Sequence, residues 1–185
     1  MITRQHTIGD STSVAVYSDC ERYRFLLGRH WRTETAPLVC ILLNPSTATE
    51  MRNDPTVERC ERRARMMGFG GVQVVNLFAW RSTDPRGLRA ASDPVGPGND
   101  AVLLDAALRA GMVLCGWGLH GAMLGRAAQV RALLHGAGLP LWHLGLTRAG
   151  APRHPLYVGY AQVPVRWDSV PAWISGSGLP LIDAD

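Results

Sequence analysis

The sequence predicts an α/β protein: a three-layer α/β/α sandwich around a four-stranded, mostly parallel central sheet, preceded by an N-terminal β-hairpin. Three observations predict it. From residue 37 onward, strand-type and helix-type segments alternate four times, the pattern left by parallel strands joined through crossover helices. The strand segments are continuous apolar runs, such as Leu38-Val39-Cys40-Ile41-Leu42-Leu43, and continuity means burial on both faces of a sheet. Finally, 185 residues of which 46% are hydrophobic supply one sizeable core, with no repeat, low-complexity tract or charge run to divide the chain. A single domain over 1–185 is expected, with a hairpin extension over 1–36, an α/β core over 37–166 and a C-terminal tail over 167–185.

The hairpin is read from Ser13 to Tyr17, a polar turn at Asp19-Cys20-Glu21, and Tyr23 to Trp31 with aromatics at odd positions. The first core strand, 38–43, ends in Asn44-Pro45-Ser46. Asp54-Pro55-Thr56 then places Asp at a helix N-cap and Pro at N1, and that helix should run to the glycines at 68, 70 and 71. A second strand spans 72–78. The stretch from Arg81 to Gly98 is too rich in Pro, Gly and Asp for regular structure and is expected to be a functional loop. Asn99 or Asp100 can cap a helix over 101–109, followed by a third strand at Met112 to Cys115. A helix over 120–135 should lead to a fourth strand, Leu139 to Leu144. After a loop from Gly145 to His154, residues 161–166 can form a short strand confined to a sheet edge by Pro164.

Charge and cysteine usage narrow the class. All 19 basic residues are Arg, against 15 acids, for a net charge of +4. A guanidinium surface suits phosphate, because each fork binds bidentately without deprotonating, although a GC-rich genome also replaces Lys with Arg. No apolar run is long enough to span a bilayer, and the N-terminus lacks the basic-then-apolar order of a secretory signal, so a cytoplasmic protein with no membrane partner is expected. Cys20, Cys40, Cys60 and Cys115 form no C-x-x-C pair, and Cys40 and Cys115 lie in strand runs. Neither metal nor cofactor is expected, since His120, His135 and His143 are dispersed and no helix carries ligand spacing.

In open α/β sheets, ligands sit beyond the carboxyl ends of the strands. Asn44 ends the first core strand on a proline-fixed turn, where its amide can orient a water or read a base edge, although Asn-Pro is also ordinary turn punctuation. Asn76 sits in Val-Val-Asn-Leu-Phe, where a buried amide needs partners at both ends and can equally serve as a bridge between loops. His154, before Pro155 and beside Arg153, is a donor able to stabilise a developing anion, or else a plain loop histidine. Gly116-Trp117-Gly118 and His120 follow the third strand onto the same rim, with His120 more simply a capping residue. On the first helix, Arg59, Arg62, Arg63 and Arg65 alternate with Glu58 and Glu61, so a solvated, self-paired face is expected there. The rim-loop residues Arg81, Arg86, Arg89, Arg148 and Arg153 have few acids nearby and are the expected phosphate contacts.

Several strings are shared with a known family. Ile41-Leu-Leu-Asn-Pro-Ser-Thr-Ala, Asp54-Pro-Thr-Val-Glu-Arg-Cys, Val75-Asn-Leu-Phe-Ala, Thr83-Asp-Pro, Asp93-Pro-Val-Gly-Pro-Gly-Asn-Asp, Gly116-Trp-Gly and His154-Pro-Leu-Tyr together resemble a bacterial and phage family, domain of unknown function 1643. More distantly, the order strand–Asn-Pro, strand–Asn, strand–Gly-x-Gly, strand–loop–His-Pro is similar to the uracil-DNA glycosylase superfamily. That resemblance implies a glycosylase-like fold, with Asn44 positioning water, Asn76 reading the base and His154 stabilising the departing base anion. It also puts Leu156 or Tyr157 near the wedge that fills the vacated stack. Leu42 stands where the superfamily has Gly, and Leu-Tyr rather than Ser-Pro follows Pro155.

The expected function is that of a monomeric DNA glycosylase-like enzyme, hydrolysing the N-glycosidic bond of a damaged or modified pyrimidine, including a modified phage base, in repair or phage defence. Asn44, His154 and Asp54 would be catalytic. Asn76, Ser46 and the aromatics Phe78, Trp80, Trp117 and Tyr157 would hold the flipped base, with Arg81, Arg86, Arg148, Arg153 and Leu156 on DNA. The alternatives are a non-catalytic module that binds nucleic acid, and a hydrolase or transferase on free nucleosides or nucleotides.

Overall fold

Successive residues of the central strands bury to opposite sides of one sheet. The computed structural model, which describes residues 1–167, puts Val39, Ile41, Val75, Val113 and Cys115 in one apolar core and Leu38, Cys40, Leu42, Val72, Val74 and Leu114 in a second. A strand with a core on each face needs an apolar residue at every position. That is why these runs are continuous.

The strands are β1 (Ile2–Ile8), β2 (Ser11–Tyr17), β3 (Arg24–His30), β4 (Leu38–Leu42), β5 (Gly71–Asn76), β6 (Met112–Cys115), β7 (Leu141–His143) and β8 (Val165–Arg166). Among the described residues they form one eight-stranded sheet in the order β1-β2-β3-β5-β4-β6-β7-β8. Pairings β5–β4, β4–β6 and β6–β7 are parallel, whereas β1–β2, β2–β3, β3–β5 and β7–β8 are antiparallel.

The sheet is therefore mixed and twice as wide as expected, which overturns the four-stranded, mostly parallel sheet with a hairpin outside it. β3 bonds directly to β5, pairing Leu27 with Val74 and Arg29 with Val72, so the N-terminal strands are a continuation of the sheet. β1 escapes a hydrophobic reading because Thr3, Arg4, Gln5 and Thr7 are exposed, as suits an edge that must not recruit another strand. At the far edge β8 pairs Trp142 with Arg166, directly after Pro164. The expected tail lies outside the described residues beyond Trp167, which is buried against Trp117 and His143.

Helix α1 (Pro55–Met66) buries Val57, Cys60 and Ala64 in the second core, while α3 (Asn99–Leu108) and α4 (Arg126–Gly136) bury Leu103, Ala106, Ala107, Val130 and Leu134 in the first. A short helix, α2 (Pro85–Ala90), interrupts the loop expected between Arg81 and Gly98. The single helix expected over 120–135 is broken: a 3-10 turn at Leu119–Gly125 contains Leu124 at φ 55° before α4 begins. The arginines of α1 do not form a self-paired face. Arg65 pairs with Glu61, but Arg63 is buried and donates to the carbonyls of Gly159 and Gln162, Arg59 donates to that of Val158, and Arg59, Arg62 and Arg63 surround the Tyr160 ring. They tie the 158–162 segment to α1. Among the described residues, no helix is long and apolar enough to cross a membrane.

Candidate functional site

The carboxyl ends of β4, β5 and β6, the N-terminus of α1 and the loop after β7 enclose a cavity of about 530 Å³. That is the size of small-molecule sites generally. Asn44, Ser46, Asp54, Asn76, Trp117, Arg153, His154 and Tyr157 line it, over an apolar wall that includes Leu42, Val57 and Val74.

Asn44 is held by its own turn. Nδ2 donates to the carbonyls of Pro45 (3.0 Å) and Ser82 (2.7 Å), while the backbone of Phe78 and Ser82 donates to the carbonyls of Leu43 and Pro45. Two carbonyl acceptors fix which end of the amide is NH₂, so Oδ1 is the end left over. Asn44 therefore offers the cavity an acceptor and no donor. It can hold a water or an N–H group, but it cannot stabilise an oxyanion.

Asp54 caps α1, accepting from the backbone N–H groups of Thr56 (3.0 Å) and Val57 (2.9 Å). Both bonds go to Oδ1, so the cap does not use Oδ2. Asn76 ends β5 and is 2% exposed, yet its Oδ1 has no partner, which leaves a buried polar atom unsatisfied beside the cavity. Its backbone carbonyl accepts from Asn99 Nδ2, and the next carbonyl, of Leu77, accepts from both Asn99 Nδ2 and Arg126 Nε.

His154 reaches the site because its loop docks on the end of β6. A Cβ on Gly116 would meet Pro155 Cδ at 2.7 Å, so only glycine lets the loop approach this closely. The Gly118 N–H also donates to the carbonyl of Pro152 (2.9 Å). His154 Nδ1 accepts from the backbone N–H of Leu156 (3.4 Å), which puts the proton of the neutral ring on Nε2. Burial pushes its pKa below the ordinary imidazole value, against an opposing pull from Asp54. At neutral pH it is an uncharged donor.

Burial also lowers the pKa of His30 and His143. An imidazole whose folded pKa lies below its unfolded value makes the unfolded state bind more protons, so stability is full above about pH 6.5 and is lost as pH falls through the folded values. Tm should fall as pH drops below about 6.5, where the unfolded imidazoles take up protons that the buried ones refuse. A Tm that holds or rises down to pH 5 contradicts the burial of these rings.

The structure does not bring the remaining expected residues into the cavity. Phe78 is fully buried in the first core, and Trp80 packs edge-on against Tyr23 outside the pocket. Both follow a strand end, where alternation no longer tells core from rim. Arg86 and Arg148 are exposed elsewhere, and Leu156 is half-buried in a 3-10 turn at Pro155–Tyr157. Arg81 donates to the carbonyl of Glu21 and lines, with Arg52, Ser46, Thr47 and Thr49, an adjoining open cleft. Tyr157 stands at the mouth, 76% exposed. Sequence reading missed Arg24, Ser82 and Thr83, which all line the cavity, as does Thr147 from the rim loop after β7. Of these, Arg24 carried one signal, a cation directly preceding the apolar run Phe25-Leu26-Leu27 in its strand. Among the described residues, no group of three or more His, Cys, Asp or Glu side chains could hold a metal ion.

Fold and site define an α/β protein whose described residues form a mixed eight-stranded sheet, with an apolar-walled cavity bearing amide and histidine side chains at the carboxyl ends of its parallel strands. The chain belongs to the family described as Protein of unknown function (DUF1643), which matches residues 24–156. No curated protein and no solved structure matches it.

Proposed function

We propose that this cavity hydrolyses the N-glycosidic bond of a damaged or modified pyrimidine nucleotide in DNA. One observation carries the reading: Asn44, Asp54, Asn76 and His154, from separate elements, line one cavity as an acceptor, a carboxylate, an unsatisfied amide and a neutral donor. Asn44 Oδ1 and Asp54 hold the attacking water. As the water oxygen bonds to C1′, the C1′–N1 bond breaks with its electron pair leaving on the base, and Asp54 or solvent takes the water proton. His154 Nε2–H donates to the base carbonyl on which that charge develops. Asn76 reads the base edge, and Trp117 with Leu42 and Val74 provides its apolar wall. Arg153 at the mouth and Arg52 and Arg81 in the adjoining cleft would meet phosphates of the strand.

A second reading, a hydrolase or transferase on free nucleotides, is favoured by Arg24, a cation buried on the cavity wall where no strand would need to run. The two are separated by incubating the protein with single- and double-stranded oligonucleotides carrying deaminated and modified pyrimidines, then with alkali. Strand breaks at one substituted position support glycosylase action. Intact strands throughout the panel, with cleavage of a free nucleotide, favour the second reading.

A further inference from the structure

Arg24 is the least expected residue on the cavity wall. It is 2% exposed. Its only side-chain hydrogen bond among the described residues runs from Nη1 to the carbonyl of Ala48, its Nε has no partner, and no carboxylate lies within ion-pairing distance.

The other buried arginines are differently provided for. Arg29 donates to Asn53 and to the carbonyls of Gly28, Thr49 and Arg52. Arg63 donates to two carbonyls, and Arg126 to Asp100 and the carbonyl of Leu77. Those three hold segments together. Arg24 holds one carbonyl and otherwise borders the cavity.

Its placement follows from a break in the sheet. The register between β2 and β3 shifts at Val16/Tyr17, so that Tyr17 pairs with Arg24 and Phe25 is left over. Such bulges re-aim side chains. Arg24 thereby lies with Val57, Val74 and Asp54 along the α1 side of the cavity. The groups that act on its charge are Tyr17, Asp54, Arg81 and Arg29, and burial pulls its pKa down to about 10, so it stays protonated at neutral pH. With His154 neutral, Arg24 and Arg153 outnumber the one carboxylate on the wall, Asp54. Among the described residues, the cavity lining carries a net positive charge.

We propose that Arg24 is the ligand-binding cation of this site and that the substrate presents an oxyanion to it, a phosphate on the sugar or a carboxylate on the base. This rests on the cavity being the substrate site, as above. A guanidinium with unused N–H groups matches two oxygens of such an anion, and removing water from a buried cation is offset when an anion replaces it. The pyrimidine is then an acidic one, or its own 5′-phosphate is part of what is recognised.

The test measures binding without turnover, by titration calorimetry at constant ionic strength, with uridine, uridine 5′-monophosphate, 5-carboxyuridine and inorganic phosphate. At least one of the two charged nucleosides should bind about tenfold or more tighter than uridine, and which one does so places the anion on sugar or base. Arg24→Met should reduce that ligand to the affinity of uridine. Where Arg24→Met does not fold, the Arg24 Nε–H resonance of the wild-type protein replaces it: a shift on adding the charged ligand but not uridine supports the assignment, and no shift overturns it. Equal affinities of wild type for uridine and both charged nucleosides, or no binding of any, overturn it too. Base release is not measured, so absence of glycosylase activity leaves the assignment standing, and equal affinities defeat it even where a base is released.

Discussion

Asn44→Ala and His154→Ala should each slow base release about 10²- to 10³-fold, the usual loss when one preorganised water-holding or anion-stabilising group is removed. The two losses have different side effects. Asn44 Nδ2 satisfies the carbonyls of Pro45 and Ser82, so Asn44→Ala should also cost about 1–2 kcal/mol and a Tm drop of a few degrees. His154 accepts one long backbone bond, so His154→Ala should melt close to wild type. The conservative change His154→Gln keeps an N–H donor and should recover part of the rate, which a purely structural role for the ring would not produce. Assays are single-turnover, on whichever oligonucleotide the wild type cleaves. Unchanged rates in both alanine variants would remove the site from the chemistry.

Much of the site was legible because it obeys local rules. A continuous apolar run ending in Asn-Pro, an Asp before Pro at a helix start, and an Asn closing a valine-rich strand each announce a strand or helix end, and in α/β sheets those ends face the ligand. The close docking of Pro155 on Gly116 was implicit in the Gly-Trp-Gly string. What stayed hidden depends on pairing between distant segments. Whether a hairpin stands apart or joins the sheet is decided by β3 meeting β5, across more than forty residues, and no local pattern encodes that partner. Arg24 is hidden twice over, first by that pairing and then by the register shift that turns it toward α1. Exposed arginines are the converse case: Arg86 and Arg148 have few acids nearby along the chain, yet neither lines the cavity.

Asp100→Ala should be the most damaging surface-side substitution for stability, at about 2–3 kcal/mol or a Tm loss of about 5–10 °C. Asp100 pairs with Arg126, whose side chain is 4% exposed while Asp100 is 52% exposed. Removing the acid strands a buried guanidinium, and the cost stays below that of a fully enclosed pair because the acid itself is half in water. The location makes matters worse. Arg126 is the first residue of α4, where the helix dipole already disfavours a cation, whereas Asp100 lies in the first turn of α3, where a carboxylate is welcome. The double change Asp100→Ala with Arg126→Met should recover a good part of the loss, since an apolar side chain needs no counter-charge. Because Arg126 and Asn99 together hold the carbonyl of Leu77 beside Asn76, the single variant should also weaken substrate binding more than it slows the bound-state rate. Arg24→Met is the control: that guanidinium has no carboxylate to strand, so its removal should leave Tm within about 3 °C of wild type while binding of the anion is lost. If instead Arg24→Met melts as early as Asp100→Ala, Arg24 also braces the fold through the Ala48 carbonyl, and the shift of its Nε–H resonance on adding the charged ligand decides whether it binds the anion as well.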